Sequence, residues 1–262
     1  MVIIDRERCI GCGLCAGDCL SRAISLESGK AEITKNCFHC GHCVAICPQE
    51  AVRFEGACYD MADVEPVGKG FGIDGAAMLH AVKTRRSVRR FARECPTREE
   101  LETVLEAGRF SPTASNAENV SYIVFTEKTE ELRELAIREL RKLRDDEEAF
   151  YAVFPPPMSL DRVNFDDDDF FFKGAPAVIL TVSPHTVNAA LASAAMELEA
   201  AALGLGALYV GFFTRIAEKN PAVREYLGLA EKDRLVTCLA LGYPDVRYLR
   251  TVPRKKAQVR WM

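Results

Sequence analysis

Eight of the eleven cysteines fall in two copies of one spacing, Cys9-x2-Cys12-x2-Cys15-x3-Cys19 and Cys37-x2-Cys40-x2-Cys43-x3-Cys47, the second closed by Pro48. Thiolates are soft ligands. Three of them within seven residues can wrap one face of an iron–sulfur cubane, while the fourth points away from it. Where two such runs occur together, the outlying thiolate serves the other cluster. The spacing therefore assigns Cys9, Cys12, Cys15 and Cys47 to one [4Fe-4S] cluster, and Cys37, Cys40, Cys43 and Cys19 to a second. Zinc ribbons bring their thiolates in separated pairs rather than a tight triplet, and a disulfide framework belongs with a secretory context that the first residues do not signal.

The two runs are copies at an offset of 28 residues, and the match continues past the ligands, with Ala23-Ile24 corresponding to Ala51-Val52. This is the mark of a duplicated half-domain. Leu20 stands where the second copy has Pro48, which alters a turn and removes no ligand. His39 and His42 lie inside the second run and read as exposed or bonded to sulfur, because four thiolates already suffice.

A second concentration of chemistry is Arg85-Arg86-Ser87-Val88-Arg89-Arg90-Phe91. Four guanidiniums and a hydroxyl in six residues can form a site for a phosphate and another anionic group. They can equally be a solvated basic turn, and the segment alone leaves the two readings even. No Ser/His/Asp or Cys/His constellation is evident. Cys58, Cys95 and Cys238 read as buried or incidental thiols. The run Asp166-Asp167-Asp168-Asp169 reads as a solvated acidic loop, since consecutive residues rarely converge on one cation.

The elements that must position these groups fall into two parts. At 262 residues and 48% hydrophobic composition, the chain exceeds one typical domain. Its first sixty residues can hold only a small unit tied together by metal, whereas the remainder can build an α/β core. The expected division is 1–57 as the cluster domain, 58–75 as a linker and 76–262 as the larger domain. Residues 145–174, with Pro155-Pro156-Pro157, the aspartates and Phe170-Phe171-Phe172, form a variable loop or lid of undefined role. Short strands are expected within 1–8, 23–34 and 51–55, with a turn at Ser28-Gly29-Lys30. Gly70-x-Gly72-x-x-Gly75 matches a dinucleotide fingerprint by letter, but no buried strand precedes it, and it reads as a hinge. Helices are expected at 74–84, at 97–108 behind the capping box Thr97-x-x-Glu100, at 129–144, and at 187–203, this last apolar nearly all round as in a large core or a dimer interface. Strands are expected at 121–126, 177–183 and 235–241. The class is α+β.

Net charge is −4, which gives no pull toward nucleic acid or a membrane surface. No apolar run approaches membrane-spanning length, the start lacks the apolar stretch of a signal peptide, and a reducing cytoplasm is the expected compartment.

Taken in order, Arg85-Arg86-Ser87-Val88-Arg89, Ser111-Pro112-Thr113-Ala114-Ser115-Asn116, Leu203-Gly204-Leu205-Gly206, Gly242-Tyr243-Pro244 and Arg254-Lys255-Lys256 resemble the nitroreductase family of FMN enzymes over residues 76–262. With the cysteine runs, the chain resembles the branch of that family fused to a two-cluster bacterial-type ferredoxin. The resemblance implies a nitroreductase-like α/β sandwich preceded by a small ferredoxin-like domain, and a homodimer with FMN at the subunit interface. It implies that Arg85 and Ser87, with Arg86 alongside, hold the phosphate while Arg254 and Lys256 close over it. Arg89 would lie near the pyrimidine edge, where a cation stabilises the anionic reduced flavin. Thr113, Ser115 and Asn116 would come from the partner subunit, with Asn116 toward the ring. Tyr209, Val210, Gly211 and Phe212 would offer backbone groups to the flavin face. Many family members have Gln-Pro-Trp where this chain has Glu118-Asn119-Val120, and an ionised glutamate cannot donate as an amide does, so Glu118 stands outside the implied contacts.

Clusters pass single electrons, and a flavin can collect two and release them as a hydride. The implied function is an oxidoreductase fed through the clusters by a low-potential donor such as ferredoxin or flavodoxin, acting on a small electrophilic acceptor such as a nitroaromatic or quinone. Two other readings stay open. One is a non-enzymatic electron carrier or redox sensor. The other is an NAD(P)H-driven flavoenzyme that passes electrons out through the clusters.

Overall fold

The sequence repeat is also a repeat of backbone conformation. The computed structural model describes residues 1–68, 70 and 72–262; Lys69 and Phe71, and with them part of the expected linker and the middle of Gly70-x-Gly72, lie outside the described residues. Chain contacts divide into two units, Met1–Gly72 with Ala114–Ala117, and Ile73–Thr113 with Glu118–Met262.

In the first unit, β1 (Val2–Ile4) pairs with β4 (Val52–Phe54), and β2 (Ile24–Glu27) with β3 (Lys30–Ile33). β1 is shorter than expected, because Asp5 Oδ1 accepts from the Glu7 and Arg8 amides and turns the chain. Each cysteine run contains a single-turn helix that spacing did not reveal, α1 (Leu14–Asp18) and α2 (His42–Ile46). Both start from a left-handed glycine, Gly13 at φ 78° and Gly41 at φ 75°, and both end at an extended cysteine. Arg22 and Glu50, again 28 apart, are left-handed at φ 49° and 48°. Gly11 has no alternative, since a Cβ there would lie 2.0 Å from the Gly29 carbonyl oxygen. The interior consists of Val2, Ala23, Ile24, Ala31, Ala51 and Val52 around buried Cys9, Cys15 and Cys43, so the thiols are a large part of what this unit buries.

The second unit is a four-stranded antiparallel sheet, order β5-β6-β8-β7, formed by β5 (Ser121–Phe125), β6 (Ala177–Val182), β7 (Gly206–Tyr209) and β8 (Leu235–Gly242). The central strands are apolar on both faces because both are covered. Ile179, Leu239 and Leu241 pack with α4 (Arg98–Arg109) and α7 (Thr186–Ala202) through Leu101, Val104 and Met196. The alternate residues Val178, Leu180 and Ala240 pack with α5 (Thr129–Arg141), α6 (Glu147–Val153), α8 (Gly211–Lys219) and α9 (Pro221–Tyr226). α3 (Gly75–Thr84) begins at Asp74, whose carboxylate accepts from the Ala76 and Ala77 amides, and the Thr97–Glu100 capping box of α4 is present. Residues 64–68 form no strand ahead of the glycines.

The expectation of a loop or lid at 145–174 is corrected by burial. This stretch contains α6 and sends Phe150, Phe154, Phe165, Phe171 and Phe172 into the main core. Its four aspartates are each taken by a different cation: Asp166 by Arg144, Asp167 by Lys173, Asp168 by Arg141 and Asp169 by Arg133. Three of those cations lie on α5 or just beyond its end, so the run fastens the segment along that helix. The stabilisation comes from the phenylalanines, because exposed ion pairs contribute little. Phe172→Ala is expected to cost about 3–5 kcal/mol in a denaturant melt, whereas Asp168→Asn, whose side chain is 86% exposed, leaves the midpoint nearly unchanged; the reverse order would contradict a buried role for this segment.

Candidate functional site

Within the first unit the chain is wound so that amides meet sulfur. Ala31 donates to Cys9 Sγ at 3.5 Å, and Ala23 to Cys19, His39 to Cys37 and Ala51 to Cys47 at 3.3 Å each. The Cys19 and Cys47 contacts are equivalent in the repeat. Cys9, Cys12, Cys15 and Cys47 line one small cavity, so the last thiol of the second run reaches the first three. In the second run, burial and the nearby Cys37 and Cys40 push the Cys43 thiol up to about 11. Cys9 is pushed the other way by the Ala31 and Gly11 amides. Thiols packed this closely cannot ionise together without cations among them, and soft sulfur ringed by N–H donors suits a negatively charged iron–sulfur cluster. His39 is left-handed at φ 55°, in the place Gly11 holds in the first copy, and His42 Nδ1 lies 3.3 Å from the Cys40 oxygen.

In the second unit, the basic segment leaves α3 and runs beside the edge strand. Arg85 closes the helix through its amide to Ala81 O at 3.0 Å, Ser87 bridges Ala207 in parallel, and Val88 N–H donates to Ala207 O at 3.0 Å. On its other side, Ala92 N–H donates to Tyr243 O at 2.8 Å, Phe91 bridges Pro244, and the Tyr248 hydroxyl donates to Ser87 O at 3.3 Å. Sequence segments more than a hundred residues apart thereby meet on one edge. Two motif glycines are explained by this approach: a Cβ on Gly206 would lie 2.6 Å from Val88 Cγ2, and one on Gly242 2.6 Å from Pro176 Cδ and 3.2 Å from Phe91 Cδ1.

Arg85 and Arg86 line a cavity of about 310 Å³ with Glu197, Gly204, Gly206 and Tyr248. Glu197 is the residue that sequence reasoning missed. It sits on the buried side of α7 at 8% exposure and pairs with Arg85, Nη1 to Oε1 2.6 Å. The signal was visible as an acid in a helix read as apolar all round. Desolvation first, and then the Glu197 carboxylate, push the Tyr209 phenol up to about 12, against the opposing influence of Arg85.

Val210 is buried, its amide donating to Cys238 O, and Gly211 opens α8. Phe212 packs against Phe154 and Phe170 at 5.6 and 5.8 Å between ring centres. Arg89 is exposed, and Arg254 and Lys256 lie on an exposed tail without helix or strand. Thr113 Oγ1 accepts from the Glu118 amide, which ties that turn together. Ser115 and Asn116 are both left-handed at φ 53° and group with the first unit, where the Asn116 amide donates to His39 O at 3.2 Å. The structure thus brings Arg85, Arg86, Ser87 and the 209–212 stretch to one sheet edge. Cys238 is buried, its thiol pushed well up by desolvation, as suits a structural thiol.

A helix-covered antiparallel sheet with a basic edge, in a chain that also carries a doubled cysteine unit, defines an oxidoreductase that handles electrons through iron and sulfur. The nitroreductase family profile matches residues 82–243, and a 4Fe-4S dicluster domain profile matches residues 1–52. This chain belongs to the nitroreductase family. Among curated proteins it is 28% identical, over 63% of its length and 84% of the relative's, to a protein of Archaeoglobus fulgidus named "Putative NADH dehydrogenase/NAD(P)H nitroreductase". Among solved structures it shares its fold with a nitroreductase from Bacteroides fragilis with bound FMN (TM-score 0.54, 21% identity, 70% of this chain and 97% of that one). A nitroreductase from Desulfitobacterium hafniense with bound FMN is similar (0.53, 20%, 70% and 97%). So is an iodotyrosine deiodinase bound to FMN and 3-iodo-L-tyrosine (0.53, 21%, 70% and 98%). No helix among the described residues is long and apolar enough to cross a membrane.

The charges around Tyr209 give a direct check on this edge. Glu197→Gln removes the carboxylate that opposes phenolate formation, so Tyr209 is expected to ionise at lower pH, and Arg85→Ala is expected to move it higher. Ultraviolet difference titration against the wild type reads both shifts; identical curves for all three proteins would contradict the placement.

Proposed function

We propose that this protein is an FMN-dependent oxidoreductase that receives electrons singly through two [4Fe-4S] clusters and reduces a small electrophilic acceptor such as a nitroaromatic or quinone. The observation that carries the reading is the basic turn opening on a cavity at the sheet edge, in a nitroreductase-family chain that also holds two complete cysteine runs. The donor set fits a flavin mononucleotide: Arg85, Arg86 and Ser87 offer forked and hydroxyl donors to a terminal phosphate. As the family resemblance implies, Arg254 and Lys256 on the exposed tail would close over it on binding, Arg89 would lie near the pyrimidine edge, and residues 209–212 would offer backbone groups to the ring. When bound, FMN supplies hydride chemistry, and the clusters supply its electrons one at a time. Cys9, Cys12, Cys15 and Cys47 hold one cluster, and Cys37, Cys40, Cys43 and Cys19 the other.

The working form is a homodimer, with Thr113, Ser115 and Asn116 reaching the partner's flavin. Supporting it, α3 buries none of its residues, leaving Met78, Leu79 and Val82 exposed, and α7 exposes Val187, Ala190, Leu191, Ala194 and Ala201 along one face. Two unpartnered apolar helix faces on one unit call for a second surface. The domains are 1–57 and 76–262, joined by 58–75, and the electron donor is a ferredoxin or flavodoxin in a reducing compartment such as the cytoplasm.

Anaerobically purified protein is expected to carry about eight irons per chain and FMN in equal amount to the chain. Arg85→Ala lowers flavin occupancy and leaves iron content and the dimer intact, and Cys19→Ala damages the cluster of Cys37, Cys40 and Cys43. A folded, colourless, zinc-loaded protein, or released flavin that is not FMN, would contradict the cofactor assignment. Under anaerobic conditions with reduced ferredoxin, nitroaromatics or quinones are consumed in multiple turnovers; if a fully loaded protein consumes neither, the carrier reading replaces the enzyme.

A further inference from the structure

Glu197 is a carboxylate where packing asks for none. Of the other residues that α7 buries, Ala189, Ala192, Met196 and Ala200 are apolar, and Asn188 and Ser193 are polar but uncharged. An unpaired charge in that position would be strongly disfavoured, and among the described residues the cation that answers it is Arg85, 112 positions away. The backbone at Arg85 is already fixed on both sides, by its own amide to Ala81 and by Val88 to Ala207. What remains loose is a long side chain with several rotatable bonds, and Glu197 takes up that freedom. The contact is end-on, one Nη1 to one Oε1, so it uses one of five guanidinium N–H donors and leaves the others for a ligand in the adjoining cavity.

We propose that Glu197 is a positioning residue for the phosphate site: it holds Arg85 so that the rest of the guanidinium fork meets the phosphate of FMN. This rests on the FMN reading given above. Position and charge make opposite demands here, which is what allows a decision. As a bare negative charge, Glu197 repels a phosphate, so removing it would tighten FMN. As a clamp, it lowers the freedom Arg85 must lose on binding, so removing its acceptor oxygens weakens FMN.

The test is titration of flavin-stripped, full-length protein with FMN, followed by quenching of free-flavin fluorescence. The proteins are the wild type, Arg85→Ala, Glu197→Gln, Glu197→Met and the double variant Arg85→Ala/Glu197→Met. Glutamine keeps an acceptor oxygen and is expected to stay within about threefold of the wild type, while methionine fills the volume without one and weakens FMN about tenfold, the scale of restraining one long side chain. In the Arg85→Ala background the methionine substitution adds nothing further, and that double variant leaves no lone buried charge to unfold it. Glu197→Met binding FMN as tightly as the wild type or tighter overturns the proposal, as does an equal loss in both backgrounds. If Arg85→Ala itself leaves FMN affinity unchanged, the phosphate assignment of Arg85 fails first and the proposal falls with it; if Arg85→Ala weakens FMN and Glu197→Met does not, only the positioning role is lost.

Discussion

The basic segment lies where it does only because two glycines leave room for it. With any side chain at Gly206, the Val88 methyls would be pushed off the edge strand. At Gly242 a side chain would meet Pro176 and Phe91. The close approach lets residues 85–92 act as a short additional strand beside β7 and a partner for the turn after β8, bringing the start, middle and end of the second unit to one edge. An exposed edge of this kind carries unpaired amides and carbonyls. Here Ala207 O and Ser87 O are both satisfied by the segments that carry the candidate ligands, so closing the sheet edge and assembling the site are one structural event.

The cysteine unit solves a different problem. It buries small apolar residues and thiols and has little else to fold around. Such a unit depends on metal for its stability, much as small metal-bound domains do generally. Its duplication is economical of sequence: one pattern of left-handed glycine, helical turn and extended cysteine, used twice, supplies the eight thiols proposed as two complementary ligand sets. Most departures from strict repetition fall on exposed positions, such as Leu20 against Pro48, while at the buried pair Ile24 and Val52 one aliphatic side chain replaces another.

Much of this was legible in the sequence because the signals were local. The cysteine spacing, the Thr97–Glu100 capping box and the largely apolar strands β6 and β8 each follow from a few adjacent residues. The buried face of α5 at Leu132, Leu135, Ala136 and Leu140 could be read from helical period alone. What escaped depended on distant partners. β7 is four residues long and becomes a strand by pairing with β8, α1 and α2 are too short to show a period, and the pairing of Glu197 with Arg85 spans 112 positions. The aspartate and phenylalanine runs at 166–172 misled because composition cannot tell a solvated acidic loop from a segment whose charges point to helix α5 and whose rings point to the core.

In the proposed division of labour, single electrons would enter through cysteine-bound clusters and leave in pairs from the sheet edge. Its most direct test is the order of events during anaerobic mixing with a reduced ferredoxin, followed by rapid-freeze electron paramagnetic resonance for the clusters and by absorbance for the flavin. The account predicts that cluster reduction precedes flavin reduction, and that protein whose clusters have been removed by cysteine substitution, with FMN still bound, loses flavin reduction by ferredoxin. Flavin reduction at the full rate without the clusters, or faster reduction of the intact protein by NADH than by ferredoxin, would contradict it.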